Sequence, residues 1–203
     1  MQILQIIICV LIGYLLGSIL PAVIISWHST GRDISQIGSG NPGMANVMAN
    51  IGKIEGVLTL VGDIMKVLIA FFFSWILTGT GDLHTVVLWT GFGCIIGHDF
   101  PIWRRFQGGK GVTVTCVWLV FLMPLWGSVS CAAGGIVTLV TGYLPVGGVL
   151  IPVIAIPFAF LFSGLWSGIL VTLSAVLMIQ RHWKGLKRIR NGMERRRFRH
   201  SSR

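Results

Sequence analysis

Acidic side chains are scarce in this chain. Six Asp and Glu stand against 16 Lys and Arg in 203 residues, and the four charged types together make up 11%. Soluble domains carry about 25% charged residues, so too little charge is present to cover a water-facing surface of this size. With 54% hydrophobic residues, the solvent for most of the surface is expected to be lipid. Cysteine is also sparse. Cys9, Cys94, Cys116 and Cys131 all lie in apolar stretches without metal-ligand spacing, which argues against a disulfide framework and a zinc site. The N-terminal apolar run lacks a basic leader and an A-x-A-like cleavage signal, so it reads as a retained span and not a signal peptide. No low-complexity linker, soluble insert or internal repeat is visible.

What the chain does have is long apolar runs. A crossing takes about 20 apolar residues. Residues 3–27 and 54–77 qualify, the second despite Glu55, Asp63 and Lys66. Residues 86–97 form a shorter third run, followed by 112–140 and 146–180. The last run would be roughly 50 Å long as one helix at 1.5 Å per residue, too long for one crossing, and Ser163-Gly164 offers a turn within it. Pro124 and Gly127 are turn candidates in the run before it. The count is seven if both runs split and five if neither does. Either count puts the termini on opposite sides. Ten of the 16 Lys and Arg fall in the tail, residues 181–203. Basic residues beside a span mark the cytoplasmic side and meet anionic lipid heads, so no nucleic-acid partner is expected. The expected fold class is all-α: a polytopic membrane helical bundle of about seven transmembrane helices, N-terminus outside and C-terminus cytoplasmic, forming one domain over residues 1–203.

Two polar loops then fall on the cytoplasmic side. The first contains Gly38-Ser39-Gly40-Asn41-Pro42-Gly43, residues that tolerate unusual backbone angles. Such a turn can aim several N–H groups inward as an anion nest, with Ser39 and Asn41 adding side-chain donors. Taken alone, the loop reads more simply as an ordinary turn between spans. The second contains Gly108-Gly109-Lys110-Gly111, a cation in a backbone without bulky neighbours. It is not a Walker A loop, because the spaced upstream glycine and the following Ser or Thr are missing. His98 and Asp99 stand at the membrane boundary, and Trp103, Arg104 and Arg105 read as interfacial anchors. Asp63 and Lys66, three residues apart inside a span, either neutralise each other on one helix face or belong to a polar site. His28 and Asp33 fit an H-x-x-x-x-D spacing, but the F-P-E-G motif that should accompany such a pair is absent, since Phe100-Pro101 runs on into Ile102-Trp103.

The segments GSGNPGMANV, Asp63 to Lys66, GHDFPIWRRFQGGKGV and RHWKGLKRIRNGME resemble the bacterial acyl-phosphate:glycerol-3-phosphate acyltransferases, from about Gly17 to Glu194. The resemblance implies a seven-span enzyme of the bacterial plasma membrane. It would move a fatty acyl group from acyl phosphate to the 1-hydroxyl of glycerol 3-phosphate, giving lysophosphatidic acid, with no cofactor and no metal. It implies that Ser39 and Lys110 help hold phosphate in a catalytic role. Gly38, Gly40, Gly43, Gly108, Gly109 and Gly111 would shape the pocket, and Lys66 would bind substrate. Asn41, Asn46, His98, His182, Arg188 and Glu194 match further motif positions, and His182 is the candidate for orienting or deprotonating the acceptor hydroxyl.

The sequence departs from the family pattern at several polar positions. Ala45 and Ala49 stand where A-T-N-V-x-R has Thr and Arg. Gly142 and Pro145 stand where R-Y-x-S has Arg and Ser, and Gly185 replaces the Asn of R-H-x-x-N. Each lost charged hydrogen bond is worth roughly 1.5–3 kcal/mol. Arg32, Lys53 or Arg104 would have to substitute. Two other readings stay open: a catalytically silent relative that binds phospholipid headgroups or a partner, and a small transporter of an anionic solute.

Overall fold

The computed structural model describes residues 2–194 and 196. Among the described residues there is no strand. Nine α-helices follow one another among these residues: α1 (Ile3–Gly17), α2 (Pro21–Thr30), α3 (Met44–Asn50), α4 (Lys53–Thr78), α5 (Leu83–Asp99), α6 (Val112–Leu122), α7 (Pro124–Thr141), α8 (Leu144–Phe162) and α9 (Leu165–Arg190). Five stretches are long and apolar enough to cross a membrane: Ile3–Thr30, Lys53–Thr78, Leu83–Arg104, Pro124–Thr141 and Leu144–Ser163. The helices group into two compact units that divide between Trp118 and Leu119.

The turn residues act as the sequence suggests. Pro124 opens α7 directly after α6 ends, and α8 stops at Phe162 before the Ser163-Gly164 turn. The first span, expected over residues 3–27, falls within the Ile3–Thr30 stretch and contains a break: α1 stops at Gly17 and Pro21 starts α2. A proline pushes the residue before it out of the helical region, and Leu20 is extended at φ −111°. The break leaves the Ser18 and Ile19 carbonyls without helical partners.

In the first unit, α1 shows the sidedness of a lipid-solvated helix. Leu4, Ile7, Leu11 and Leu15 face outward, while Cys9, Gly13 and Gly17 are buried. The glycines face α5. A Cβ on Gly13 would meet the Thr90 carbonyl, and one on Gly17 would meet the backbone of Cys94. In return, Gly93 lies against Val10 and Gly97 against the Tyr14 carbonyl and Ser18 N–H. Gly13/Gly17 and Gly93/Gly97 are two G-x-x-x-G pairs set face to face, the arrangement that lets apolar helices approach backbone to backbone. At one end of this unit, Gln5 Nε2 donates to the Thr78 carbonyl at 2.9 Å. The N-terminus therefore shares an end with the 79–82 connection, and the two motif loops lie at the other.

In the second unit, α7 packs on α8 and α8 on α9. Trp126 stacks on Phe158, with centroids 4.1 Å apart and planes 6° from parallel.

Gly97→Leu and Gly17→Leu are each expected to destabilise the protein by about 1–3 kcal/mol or more, because the α1–α5 approach has no room for a side chain. Gly135→Ala, at a glycine with nothing within 4 Å of the added carbon, should leave the detergent melting temperature unchanged. Equal melting for all three would show that the close crossing does not support the fold.

Candidate active site

The first loop is built from its anchors outward. Asp33 caps a short 3-10 turn, Ile34–Gln36, by accepting the Ser35 N–H at 2.8 Å. Ile34 is fully buried with Ala22 and Val47. Beyond it the chain turns through Gly38 and Gly40, at φ +57° and +71°, a left-handed conformation that favours glycine. Asn46, buried at the start of α3, ties this turn down. Its Oδ1 accepts the Ser39 N–H at 2.9 Å and its Nδ2 donates to the Ile37 carbonyl at 2.9 Å. Asn50 Nδ2 donates in turn to Asn46 Oδ1 at 3.0 Å.

Of the two readings of this loop, an N–H nest and an ordinary turn, the bonds made favour the ordinary turn. The Ser39 N–H is taken by Asn46, the Gly40 N–H goes to Ile37 O, the Gly43 N–H goes to Asn41 O, and the Asn41 N–H leans on Ser39 Oγ at 3.4 Å. The glycines let the loop satisfy its own donors. What the turn presents outward is the exposed Ser39 side chain, held on a rigid backbone.

The second loop folds back on the C-terminal end of α5. Gly108 N–H donates to the Asp99 carbonyl at 3.1 Å, and Gly109 N–H to the His98 carbonyl at 2.9 Å. A Cβ on Gly108 would strike the His98 carbonyl and Pro101, and one on Gly109 would strike the His98 ring. Gly111 is left-handed at φ +66° and lies beside the Asp99 carboxylate. These glycines too serve close packing, not N–H display. Lys110 is half-buried and stands two residues before α6. The first N–H groups of a helix have no carbonyl within it and favour an anion, so the lysine and the α6 N-terminus present positive charge together.

Behind this loop lies a buried ionic cluster. Lys66 of α4 is 5% exposed, Asp63 2% and His98 4%. The Lys66 ammonium sits 2.8 Å from Asp63 Oδ1, 2.8 Å from His98 Nδ1 and 2.9 Å from the Ile19 carbonyl. Three acceptors surround a three-donor group. Donation to Nδ1 puts the His98 hydrogen on Nε2, the atom nearest Gly109. Lys66 and His98, expected to bind substrate, are turned inward and brace the loop. The other carbonyl freed by the helix break, Ser18 O, accepts Trp103 Nε1 at 3.1 Å.

A pair that sequence reasoning missed joins the two loops. Arg104, expected as an interfacial anchor, grips Asp33 with both ends of its guanidinium, at 2.9 and 2.8 Å. These bonds hold the Asp33 carboxyl well below the usual carboxylate range. Its lowered folded-state value means that the pair stabilises above the unfolded carboxylate pKa and is lost only in strong acid. His28 is exposed and both Asp33 oxygens serve Arg104, so the H-x-x-x-x-D reading finds no support. Nothing in the sequence pairs residues 71 apart.

The remaining candidates lie in the second unit. His182 is 3% exposed, with Nδ1 3.0 Å from the Met178 carbonyl. A carbonyl only accepts, so Nδ1 carries a hydrogen and donates it. Arg188 Nε donates to Glu194 at 2.5 Å, so these two candidates are partners of one another. Two departures from the family pattern also meet: a Cβ on Gly185 would lie 2.8 Å from Pro145 Cγ. An apolar contact replaces what the family pattern would make polar. Among the described residues, no group of three His, Cys, Asp or Glu side chains is placed to hold a metal ion.

Residues 7–192 match the sequence profile of the glycerol-3-phosphate acyltransferase family. The chain belongs to this family. It is 33% identical over 185 residues to the glycerol-3-phosphate acyltransferase of Thermotoga petrophila, an alignment covering 91% of this chain and 93% of that protein. It is 44% identical over 110 residues to glycerol-3-phosphate acyltransferase 1 of Lactobacillus johnsonii, there spanning about half of each protein, 54% and 52%. The crystal structure of PlsY, an integral membrane glycerol 3-phosphate acyltransferase, in its glycerol 3-phosphate form superposes with a TM-score of 0.83 at 27% identity, covering 94% of both chains. Within this acyltransferase family fold, the loops that carry Ser39 and Lys110 are braced from behind by Asn46 and by Lys66.

Lys66→Met is expected to destabilise the protein by about 3–5 kcal/mol, since it leaves Asp63 buried without its partner. Asp63→Asn combined with Lys66→Met should recover part of that loss. If Lys66→Met melts like the parent and changes only substrate affinity, Lys66 is a ligand and not a brace.

Proposed function

We propose that this protein transfers a fatty acyl group from acyl phosphate to the 1-hydroxyl of glycerol 3-phosphate, giving lysophosphatidic acid. The observation that carries this reading is Lys110, half-buried just ahead of the α6 N-terminus, in a chain that matches an integral membrane glycerol 3-phosphate acyltransferase over 94% of its length. Both substrates bear phosphate. The Ser39 hydroxyl and the Lys110 ammonium supply the donor hydrogen bonds and charge that a phosphate needs. Asn41, Gly43, Arg188 and Glu194 stay in this proposal as supports of the loop and tail that carry the binding residues.

The acyl donor arrives already activated. The acceptor oxygen attacks the acyl carbonyl carbon, the carbonyl carbon–phosphate oxygen bond breaks, and inorganic phosphate leaves. The hydroxyl proton needs an acceptor. His182, at a family motif position, is the proposed acceptor, and its ring is oriented by the Nδ1 bond to the Met178 carbonyl. No covalent enzyme intermediate is required, so positioning and charge stabilisation do most of the work.

The same reading sets the protein in a bacterial plasma membrane as seven spans, with α1–α2 the first and α6, only 11 residues long, counted as one. The motif loops face the cytoplasm and the N-terminus the outside. Charge supports this orientation. Arg32, Lys53, Arg104, Arg105 and Lys110 cluster at the motif end, and the connection from Gly79 to Asp82 has no basic residue.

A second reading, a phosphate-binding but silent relative, is favoured by Ala45 and Ala49. They stand four residues apart on α3, so that face lacks the Thr and Arg of the family pattern. Purified protein in detergent, given labelled glycerol 3-phosphate with palmitoyl phosphate or palmitoyl-CoA, separates the two. Product is expected only from palmitoyl phosphate, and Lys110→Ala should lower kcat/KM by about 10- to 100-fold or more. No product from either donor, in folded protein, would favour the silent relative. His182→Asn should lower kcat by about 10²–10⁴-fold with KM little changed; an unchanged kcat would remove His182 from the proton transfer.

A further inference from the structure

We propose that the Asp33–Arg104 ion pair is the positioning element that sets the spacing between the Ser39 turn and the Lys110 loop. The proposal rests on the reading that both loops hold substrate phosphate.

The two loops come from distant parts of the chain and share no covalent constraint. One joins α2 to α3 and the other joins α5 to α6. The pair stands six residues before Ser39 (39 − 33 = 6) and six before Lys110 (110 − 104 = 6). Each partner is the root of a rigid turn. Asp33 Oδ1 accepts the Ser35 N–H at 2.8 Å, and the Asp33 carbonyl accepts the Gln36 N–H at 2.9 Å. From there Ile37 O passes the constraint to Gly40 N–H and Asn46 Nδ2. On the other side, Arg104 ends the 3-10 turn Ile102–Arg104, and its carbonyl accepts the N–H of Gln107, the residue before Gly108.

Between these points the backbone is strained. Arg105 and Phe106 take φ +52° and +61° in succession, a conformation that non-glycine residues keep only where their surroundings over-determine it. The Arg104 fork is one such constraint. Two parallel bonds fix direction as well as distance, which a lysine ammonium cannot do. The pair is about one-fifth exposed on each side, 23% and 21%, so its role is geometric more than stabilising.

The geometry also removes one candidate to replace the family arginine absent at Ala49. Arg104 does not replace it, because both its terminal nitrogens serve Asp33.

Four variants test the proposal in the full-length protein: Arg104→Ala, Arg104→Lys, Asp33→Asn, and Asp33→Asn with Arg104→Ala. The first readout is the distance distribution between spin labels at Gln36→Cys and Gln107→Cys, both exposed positions, in a background with Cys116 and Cys131 replaced. The second is KM and kcat for glycerol 3-phosphate with palmitoyl phosphate. The distribution is expected to be narrow in the parent and broader in either single variant. KM should rise about tenfold while kcat changes less. The double variant should be no worse than the worse single, and Arg104→Lys should recover part of the KM. Three results would overturn the proposal: an unchanged distance distribution in Arg104→Ala, additive KM effects in the double variant, or a lowered KM in Asp33→Asn, which would make the released Arg104 a phosphate ligand. If the parent transfers no acyl group, the functional reading fails and the distance measurement alone decides the proposal. If Arg104→Ala does not fold, Arg104→Lys carries the same comparison.

Discussion

A helix that breaks inside an apolar environment exposes carbonyls that lipid cannot satisfy. The break between α1 and α2 does this at Ser18 and Ile19, and the protein answers with two long side chains. Trp103 Nε1 takes Ser18 O and the Lys66 ammonium takes Ile19 O. Once Lys66 is drawn into the interior, it needs a counter-charge, which Asp63 supplies one helical turn away on α4. Its third acceptor is His98, whose own carbonyl receives Gly109. The Lys110 loop thus sits at the end of a chain of contacts that begins with a broken span. Removing any charged member would leave another uncompensated, so the cluster stands or falls as a unit.

Glycine works throughout this structure by allowing approach. Between α1 and α5 it brings two backbones together. In the motif loops it lets the chain lie on His98 and on Asn46. That changes what a phosphate would meet. Sequence alone suggested a cradle of backbone N–H groups, but those of Ser39, Gly40, Gly43, Gly108 and Gly109 already have internal acceptors. On the proposed reading, binding then falls to side chains and to the first turn of α6. A site that relies on few donors is sensitive to each loss, which gives weight to Ala45 and Ala49. The contact between Pro145 and Gly185 is different in kind, because there two departures fit one another.

Much of the fold could be read from the sequence because lipid imposes simple rules. The apolar runs fall on the five stretches able to cross a membrane among the described residues, and Pro124 and Ser163-Gly164 mark real breaks. The break before Pro21 was missed because residues 18–20 are as apolar-compatible as their neighbours, although the proline itself was the signal. The paired G-x-x-x-G motifs were also in plain view as Gly13/Gly17 and Gly93/Gly97. Of the site, the loops themselves were visible as motif strings, and their bracing was not. Asn46 and Lys66 stood out as polar residues, but only three-dimensional contact shows that they face inward. The Asp33–Arg104 pair left no local pattern, since a salt bridge across 71 residues has no period.

The two ion pairs divide the work according to their surroundings. Asp63 and Lys66 are almost wholly buried, where breaking a pair is costly and alternatives are few. Asp33 and Arg104 meet partial solvent, where an ion pair adds little to stability but a two-pronged fork still specifies an angle. The buried cluster therefore fixes that the Lys110 loop is present, and the surface pair fixes where it lies relative to Ser39. Such a division leaves the spacing of the two loops adjustable by mutation without loss of the fold.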